Sequence, residues 1–158
     1  MGDRKPFAVA QTKFDEVHGQ FSPDGRWLAF SSNETGRYEV YVRPFPDAGG
    51  KWQISSGGGI YARWRHDGRE LFYVAPDNRM MAVPIDVVSS GRTLSPGAPV
   101  ALFESRIATQ GSAGLGGFGS KAQYAVARDG RFLLSVSVEA AIASPITIVL
   151  NWDAGLRK

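Results

Sequence analysis

The sequence contains Phe21-Ser-Pro-Asp-Gly-Arg-Trp-Leu-Ala-Phe30, the first of three related segments that decide its fold. The second is Trp64-Arg-His-Asp-Gly-Arg-Glu-Leu-Phe-Tyr73 and the third is Val126-Ala-Arg-Asp-Gly-Arg-Phe-Leu-Leu-Ser135, and the three align without gaps. Glycine adopts positive φ easily, and an aspartate side chain can bond to the backbone two residues on. Asp-Gly between apolar runs therefore predicts a tight hairpin. Each segment is expected to join one β-strand to the next.

Further β-rich runs follow the three hairpins. They cover residues 38–43, 51–55, 79–85, 99–103 and 145–152. Asp24 and Asp67 lie 43 residues apart, which is the length of one four-stranded blade of a β-propeller. The 62-residue interval from Asp67 to Asp129 is longer because of the link 86–98 and the glycine-rich stretch 111–120. Since no amphipathic stretch of three helical turns is present, the predicted fold class is all-β.

The strand count predicts three four-stranded propeller blades in a single domain over residues 1–158. The expected limits are about 17–55 for blade 1, about 60–103 for blade 2 and about 122–152 for blade 3, which an N-terminal strand at about 5–11 completes. Propellers have about four to eight blades, so three cannot close a ring. A half-ring would expose apolar blade faces, and we expect two copies to form a six-bladed homodimer. The competing hypothesis is a truncated or domain-swapped fragment with another stoichiometry.

Composition and charge exclude several classes of protein. Hydrophobic residues make up 43% and charged residues 21% of the chain, which is typical of a globular domain. The absence of cysteine excludes disulfides, thiolate metal sites and a cysteine nucleophile. The net charge of +3 comes from scattered basic residues, so we expect no nucleic-acid partner. Neither a membrane segment nor a signal peptide is predicted within this chain. The location stays open, because the chain could be a fragment of a parent protein that is anchored in a membrane.

Four stretches resemble TolB-like (WD-repeat-like) β-propellers, namely residues 19–30, 39–45, 64–73 and 146–152. More narrowly, nearly the whole chain resembles the C-terminal propeller of bacterial eukaryotic-type serine/threonine protein kinases. It departs from the repeat pattern at His66, where the first repeat has Pro23, and at Val126, which replaces an aromatic residue. The resemblance implies a sensor or protein-interaction module. Kinase activity is not implied, because the chain lacks the Gly-rich loop before a strand lysine and the His-Arg-Asp and Asp-Phe-Gly motifs.

Polar residues on one face of the predicted disc form the candidate binding site. In a propeller, the loops that enter each innermost strand share a face with the loops that join the second and third strands. These loops and the strand starts beside them carry Asp15, Glu16, His18, Asn33, Glu34, Tyr61, Arg63, Lys121 and Gln123. His18, Tyr61 and Gln123 align with one another and are expected at the mouth of the central channel. A protein, peptide or small-molecule ligand is expected to bind on this face. His66 lies beside a hairpin turn on the opposite face, and we expect it to have a structural role only.

An alternative function is a metal-dependent hydrolase, lactonase-like or phosphotriesterase-like, that acts at the channel mouth. Two copies of Glu16 and His18 around the dimer axis could bind a divalent metal, because carboxylate and imidazole are ordinary metal ligands. Such a metal would lower the pKa of a bound water and polarise a phosphoryl or carbonyl oxygen. The hypothesis resembles six-bladed propellers of the lactonase and phosphotriesterase kind, which use a metal in the central channel. The metal-ligand motifs of those propellers are not present in this sequence. The competing interpretation is that His18 forms a hydrogen bond with a neighbouring loop and that Glu16 is solvated. The sequence identifies no catalytic residue.

Overall fold

The computed structural model describes residues 8–9, 12–46, 49–88, 93–107 and 123–136 and the backbone of 147–149. Within these ranges the chain is all-β, as predicted, with several antiparallel sheets and no helix. No described segment is therefore a helix of the length and hydropathy needed to cross a membrane. The strands are β1 (Glu16–Phe21), β2 (Trp27–Ser32), β3 (Glu39–Pro44), β4 (Trp52–Gln53), β5 (Ile60–Trp64), β6 (Glu70–Val74), β7 (Arg79–Val88), β8 (Thr93–Pro96), β9 (Val100–Glu104), β10 (Tyr124–Val126), β11 (Phe132–Leu134) and β12 (Thr147–Val149).

The strands form three antiparallel sheets in chain order. The first sheet has the order β1-β2-β3-β4 and the third has the order β10-β11-β12. In the second sheet, β5, β6 and β7 pair in sequence, and β7 then pairs along its other edge with both β8 and β9. The first strands of the three sheets are neighbours, since β5 lies against both β1 and β10. This arrangement places residues from all three sheets beside one another.

The end of β7 departs from the prediction. The β-rich run was expected to end at residue 85, with 86–98 as a link, whereas the strand continues to Val88 and pairs there with β8. Leu94 of β8 is buried in the core, and this anchors the extra pairing. Since β6 pairs only with residues 80–84, the end of β7 projects beyond its neighbour and leaves Val87 and Val88 exposed.

The three Asp-Gly hairpins form as predicted. Gly25, Gly68 and Gly130 have φ values of 71°, 73° and 86°, which glycine adopts without the strain that a Cβ would add. In each turn the aspartate Oδ1 accepts a hydrogen bond from the backbone N–H two residues on, at 3.1, 3.0 and 3.2 Å. The same interactions that define an Asp-Gly turn in peptides therefore hold all three hairpins.

The third hairpin is closed one residue earlier than the other two. Ala127 N donates to Arg131 O at 2.8 Å, four residues on, whereas the corresponding bonds in the first two hairpins span five residues. Because side chains alternate along a strand, this difference exchanges the two faces of β11. Phe132 is consequently buried and Leu133 is 43% exposed. The gap-free alignment would have placed Leu133 in the core, since it aligns with the buried Leu71.

Two apolar layers hold the sheets together, and the second sheet contributes to both. Trp64, Leu71 and Tyr73 belong to the layer shared with the first sheet. Phe72 belongs to the layer shared with the third sheet, where its ring packs edge-on against Phe132 with centroids 4.9 Å apart. Seven aromatic residues on the strands are buried, namely Trp27, Phe30, Tyr41, Trp64, Phe72, Tyr73 and Phe132.

Two predicted strands fall largely outside the described residues. Of the N-terminal stretch 5–11, only Ala8 and Val9 are described, and they lie outside any strand. The carbonyl of Val9 accepts a hydrogen bond from Arg43 Nη1 at 2.6 Å, so this residue lies beside β3. Of the stretch 145–152, the described part is β12, which pairs with β11.

Candidate functional site

The first strands of the first two sheets carry matching irregularities. Pairing of β1 with β2 shifts register between Val17 and Gln20, and pairing of β5 with β6 shifts between Ile60 and Arg63. His18 and Tyr61 lie at the shifts with φ values of 57° and 59°. Non-glycine residues rarely adopt this conformation, which is concentrated at functional sites and costs about 1–3 kcal/mol. The bulges redirect two side chains that the alignment had made equivalent.

His18 and Tyr61 meet across the boundary between the first and second sheets. Their ring centroids lie 4.5 Å apart with the ring planes tilted by 54°. Burial, together with the positive charge of Arg63, lowers the pKa of His18 below its ordinary value of 6.5. The imidazole is therefore mainly neutral at pH 7. Tyr61 is 3% exposed, and burial raises the pKa of its phenol.

Arg63 extends this group to the third sheet. Its guanidinium carbon lies 5.7 Å from the centroid of the Tyr124 ring, within cation–π range. Nη1 donates to the carbonyl of Ala62 at 2.9 Å, and none of the described carboxylates pairs with this half-buried cation. We call His18, Tyr61, Arg63 and Tyr124 the inner cluster.

Asp15 and Asn33 join the two loops at the same end of the first sheet. Asp15 N donates to Asn33 Oδ1 at 3.0 Å, and Asn33 Nδ2 donates to Asp15 Oδ2 at 3.1 Å. The Tyr38 hydroxyl donates to the same Asp15 oxygen at 3.3 Å. The structure thus brings these two candidate residues together, and their polar groups hydrogen-bond to each other.

The Glu34 side chain is likewise paired within the first sheet and its loops. Its carboxylate forms an ion pair with Lys51, and a hydrogen bond from this lysine lowers the pKa of Glu34. The Lys51 ammonium also lies 4.7 Å from the centroid of the Tyr41 ring. Glu34 therefore fixes the loop between β2 and β3 and does not join the inner cluster.

The remaining candidate residue of the third sheet is Gln123. It is half-buried immediately before β10, and its carbonyl accepts a hydrogen bond from Ser135 N at 2.8 Å. Lys121 lies outside the described residues. The structure thus brings His18, Tyr61 and Arg63 together and adds Tyr124, which the sequence analysis did not single out as a site residue.

Glu16 and His18 do not make a divalent-metal site within the described part of one chain. The Glu16 carboxylate accepts a hydrogen bond from the Thr12 hydroxyl, and the positive charge of Arg63 faces His18. A cation beside an arginine is electrostatically disfavoured. Nowhere in the described ranges do three histidine, aspartate or glutamate side chains come together as a ligand group.

No protein-family model matches the chain, and no curated protein is similar to it at a significant level. The resemblance to TolB-like propellers therefore rests on the repeat segments themselves.

Glu39 was not singled out from the sequence, yet its carboxylate is buried and bonds to several groups. It is 1% exposed and accepts bonds from Arg37 Nε at 2.8 Å, from Gly58 N at 2.9 and 3.0 Å, and from the Ser55 hydroxyl. It thus ties β3 to the loop that enters β5. Gly58 has a φ of 98°, and a Cβ there would lie 2.4 Å from the Pro76 ring, so the loop that bonds to Glu39 requires glycine at this position.

Proposed function

We propose that the chain is half of a TolB-like β-propeller, that two copies form a six-bladed ring, and that the ring binds an acidic peptide segment at its inner mouth. The proposal is supported by three successive antiparallel sheets that pack face to face with their first strands adjacent. Successive propeller blades pack in this way around a central channel.

The observation that carries the proposed assembly is the contrast between Phe21 and Trp64. Both occupy the last position of a first strand and face the side of the preceding sheet. Trp64 is 9% exposed because the first sheet covers it, whereas Phe21 is 53% exposed. Phe21 contacts only Phe45 among the described aromatic rings, with centroids 4.7 Å apart. A preceding blade from a second copy would cover Phe21 as the first sheet covers Trp64.

The partner face is the far side of the third sheet. Leu133 points away from the second sheet there and is 43% exposed. Joining the Phe21 face of each copy to the Leu133 face of the other gives two equal contacts around a two-fold axis. Both exposed faces are then covered at once, which a single chain of three sheets cannot achieve.

Phe21→Glu is expected to convert the protein from a dimer to a monomer, because a carboxylate would be buried without a partner at the contact. Light scattering should give twice the 17.1 kDa chain mass for the parent protein and the chain mass for the variant. Val100→Glu is the matched control, since Val100 is 46% exposed on the outer strand β9 and should leave the dimer intact. A parent protein that is monomeric at all concentrations, or a folded Phe21→Glu dimer, contradicts the assembly.

The inner cluster supports the choice of an acidic peptide. Arg63 is a half-buried cation without a carboxylate partner in the described ranges, and the Tyr124 ring lies beside it. A ligand carboxylate would find a charge-assisted hydrogen bond there, which is about twice as strong as a neutral one. The neutral imidazole of His18 and the buried ring of Tyr61 add an aromatic wall beside the cation.

Selection of phage-displayed peptides on the parent protein is expected to enrich sequences that contain aspartate or glutamate. Arg63→Gln should weaken a selected peptide by more than about tenfold, because loss of one partner of a desolvated charge pair costs about 2–5 kcal/mol. Arg128→Gln is the control, since Arg128 is exposed in the third hairpin, at the opposite end of the sheets. Enrichment of basic peptides, no enrichment, or equal affinities in the two variants would reject this ligand class.

The metal-dependent hydrolase has less support. It needs a metal held by Glu16 and His18 of two copies, and the charge of Arg63 lies beside that position. Stoichiometric metal in the purified protein that is lost in His18→Ala together with ester hydrolysis would favour the hydrolase over the peptide-binding ring.

A further inference from the structure

A cleft of about 700 Å³ opens between the first two sheets at the end opposite the inner cluster. The first and second Asp-Gly hairpins form two of its walls, and the projecting end of β7 forms the third. Its volume is within the range of ligand sites, about 300–1,000 Å³. No residue that the sequence placed in the candidate binding site lines this cleft.

The projecting end of β7 has one unpaired edge. Gly97 N donates to Pro84 O at 2.8 Å, so the backbone groups of Pro84 point toward β8. Because these groups alternate along a strand, those of Ile85 and Val87 point the other way, and Ile85 N donates there to Arg69 O at 2.8 Å. The pairing ends at Arg69. The N–H and C=O groups of Val87 therefore have no backbone partner within the described ranges.

An unpaired strand edge of this kind is a template for a further strand. The side chain of Val87 faces the cleft, because its cross-strand partner Leu94 packs in the layer shared with the first sheet. Val87 is 46% exposed, whereas Trp64 and Ile85, which also line the cleft, are buried. A residue added opposite Val87 would thus direct its side chain toward this apolar floor.

Arg69 closes one end of the unpaired edge. It lies opposite Ile85, so an added strand cannot continue past it. Its side chain faces the cleft, because Leu71 two residues on packs in the layer shared with the first sheet. A strand that runs antiparallel to β7 on this edge would have its C-terminal end at Arg69.

The carboxylates nearby are engaged or directed elsewhere. The aspartates of the two hairpins, Asp24 and Asp67, lie 3.8 and 3.6 Å from guanidinium groups in their own turns. The Asp86 carboxylate projects from the opposite face of β7, because its neighbours in the strand face the first sheet. Arg69 is exposed and forms no ion pair with a carboxylate in the described part of the chain.

We propose that this cleft binds the C-terminal end of a partner polypeptide as a short added β-strand. The partner residue opposite Val87 exchanges two backbone hydrogen bonds with it and places an apolar side chain against Trp64 and Ile85. The terminal carboxylate bonds to the Arg69 guanidinium, which is a charge-assisted contact. A strand of the opposite polarity would bring an ammonium group to Arg69, and repulsion between the two cations disfavours it. The site is separate from the inner cluster and does not require a second copy of the chain.

The test uses calorimetric titration of the full chain with the hexapeptide acetyl-Lys-Thr-Val-Thr-Leu-Ser. Its only anionic group is the C-terminal carboxylate, and its leucine would lie opposite Val87. Three altered peptides lack the carboxylate (C-terminal amide), the leucine N–H (N-methyl leucine) or the apolar side chain (serine in place of leucine). Each is expected to bind more than tenfold more weakly, because each loses one of the proposed contacts.

Two substitutions locate the peptide on the protein. Arg69→Gln should weaken the carboxylate peptide about tenfold and leave the amide peptide unchanged. Val87→Pro removes an N–H that the sheet does not use and should weaken both peptides, whereas Val87→Ala keeps this N–H and should weaken them less. Arg128→Gln removes an exposed charge in the third hairpin and should have no effect. Circular dichroism verifies that the variants remain folded.

Several results would overturn the proposal. Absence of binding by the parent protein at about 1 mM hexapeptide would exclude the ligand class. Equal affinities for the carboxylate and amide peptides, or an unchanged affinity in Arg69→Gln, would exclude the contact at Arg69. If Val87→Pro halves the mass measured by light scattering, the edge pairs with a second copy of the chain. Weaker hexapeptide binding in Arg63→Gln would place the peptide at the inner mouth, so failure of one site is distinguishable from failure of the other.

Discussion

Trp64→Ala is expected to lower the free energy of unfolding by about 3–5 kcal/mol, as large deletions in protein cores do. The Trp64 ring is 9% exposed and lies in the layer between the first and second sheets. Its indole N–H donates to the carbonyl of Gln20 in β1, so the substitution removes a contact between sheets as well as buried apolar surface. The cavity would lie where the two sheets are held together.

Urea unfolding followed by circular dichroism measures this effect. Val100→Ala is the matched control, because Val100 is 46% exposed and exposed substitutions change stability by about 0.5 kcal/mol or less. A Trp64→Ala variant whose free energy of unfolding falls no further than that of Val100→Ala would show that Trp64 does not hold the sheets together.

The hairpins and the aromatic core could be predicted from the sequence because both depend on local rules. Gly25, Gly68 and Gly130 have the positive φ that an Asp-Gly turn requires. Strand alternation then places Trp64 and Phe72 on opposite faces of the second sheet, one in each apolar layer. These consequences follow from residue type and spacing, without knowledge of which sheets pack together.

The register of the third hairpin could not be predicted in the same way. The segment 126–135 aligns with the other two residue for residue, yet its strands pair one position earlier at Ala127 and Arg131. The choice depends on whether Phe132 or Leu133 packs better against the second sheet, and that competition involves partners distant in sequence. Phe72 offers Phe132 an edge-on aromatic contact, which favours the observed pairing.

The arrangement of the candidate residues follows only in part from the sequence. Repeat alignment made His18 and Tyr61 equivalent, and the structure adds the bulges that bring their rings into contact. Alignment could not show that Asp15 and Asn33 bond to each other, because that pairing depends on how two loops meet. The cleft at the opposite end depends on the extension of β7, which the sequence analysis had treated as a link.

Glu39→Ala is expected to destabilise the protein by about 2–5 kcal/mol, because it leaves buried donors without an acceptor. The Gly58 N–H and the Ser55 hydroxyl both bond to this carboxylate, and Ser55 and Glu39 are each 1% exposed. Arg37 contributes little to this cost, since its side chain is 60% exposed and water can replace the pair. Most of the effect therefore comes from the two buried donors.

The position of these donors gives the substitution a local signature. Ser55 Oγ also accepts from Val40 N at 2.8 Å, so the carboxylate, the hydroxyl and β3 form one continuous set of bonds. Loss of Glu39 should accelerate amide hydrogen exchange at Gly58 more than exchange in the third sheet. Glu39→Gln keeps one acceptor oxygen. Its free energy of unfolding in urea should therefore lie between those of Glu39→Ala and the parent protein. The exposed Glu104→Ala serves as the control. Unchanged Gly58 exchange in Glu39→Ala would mean that this buried carboxylate does not hold the loop that leads into β5.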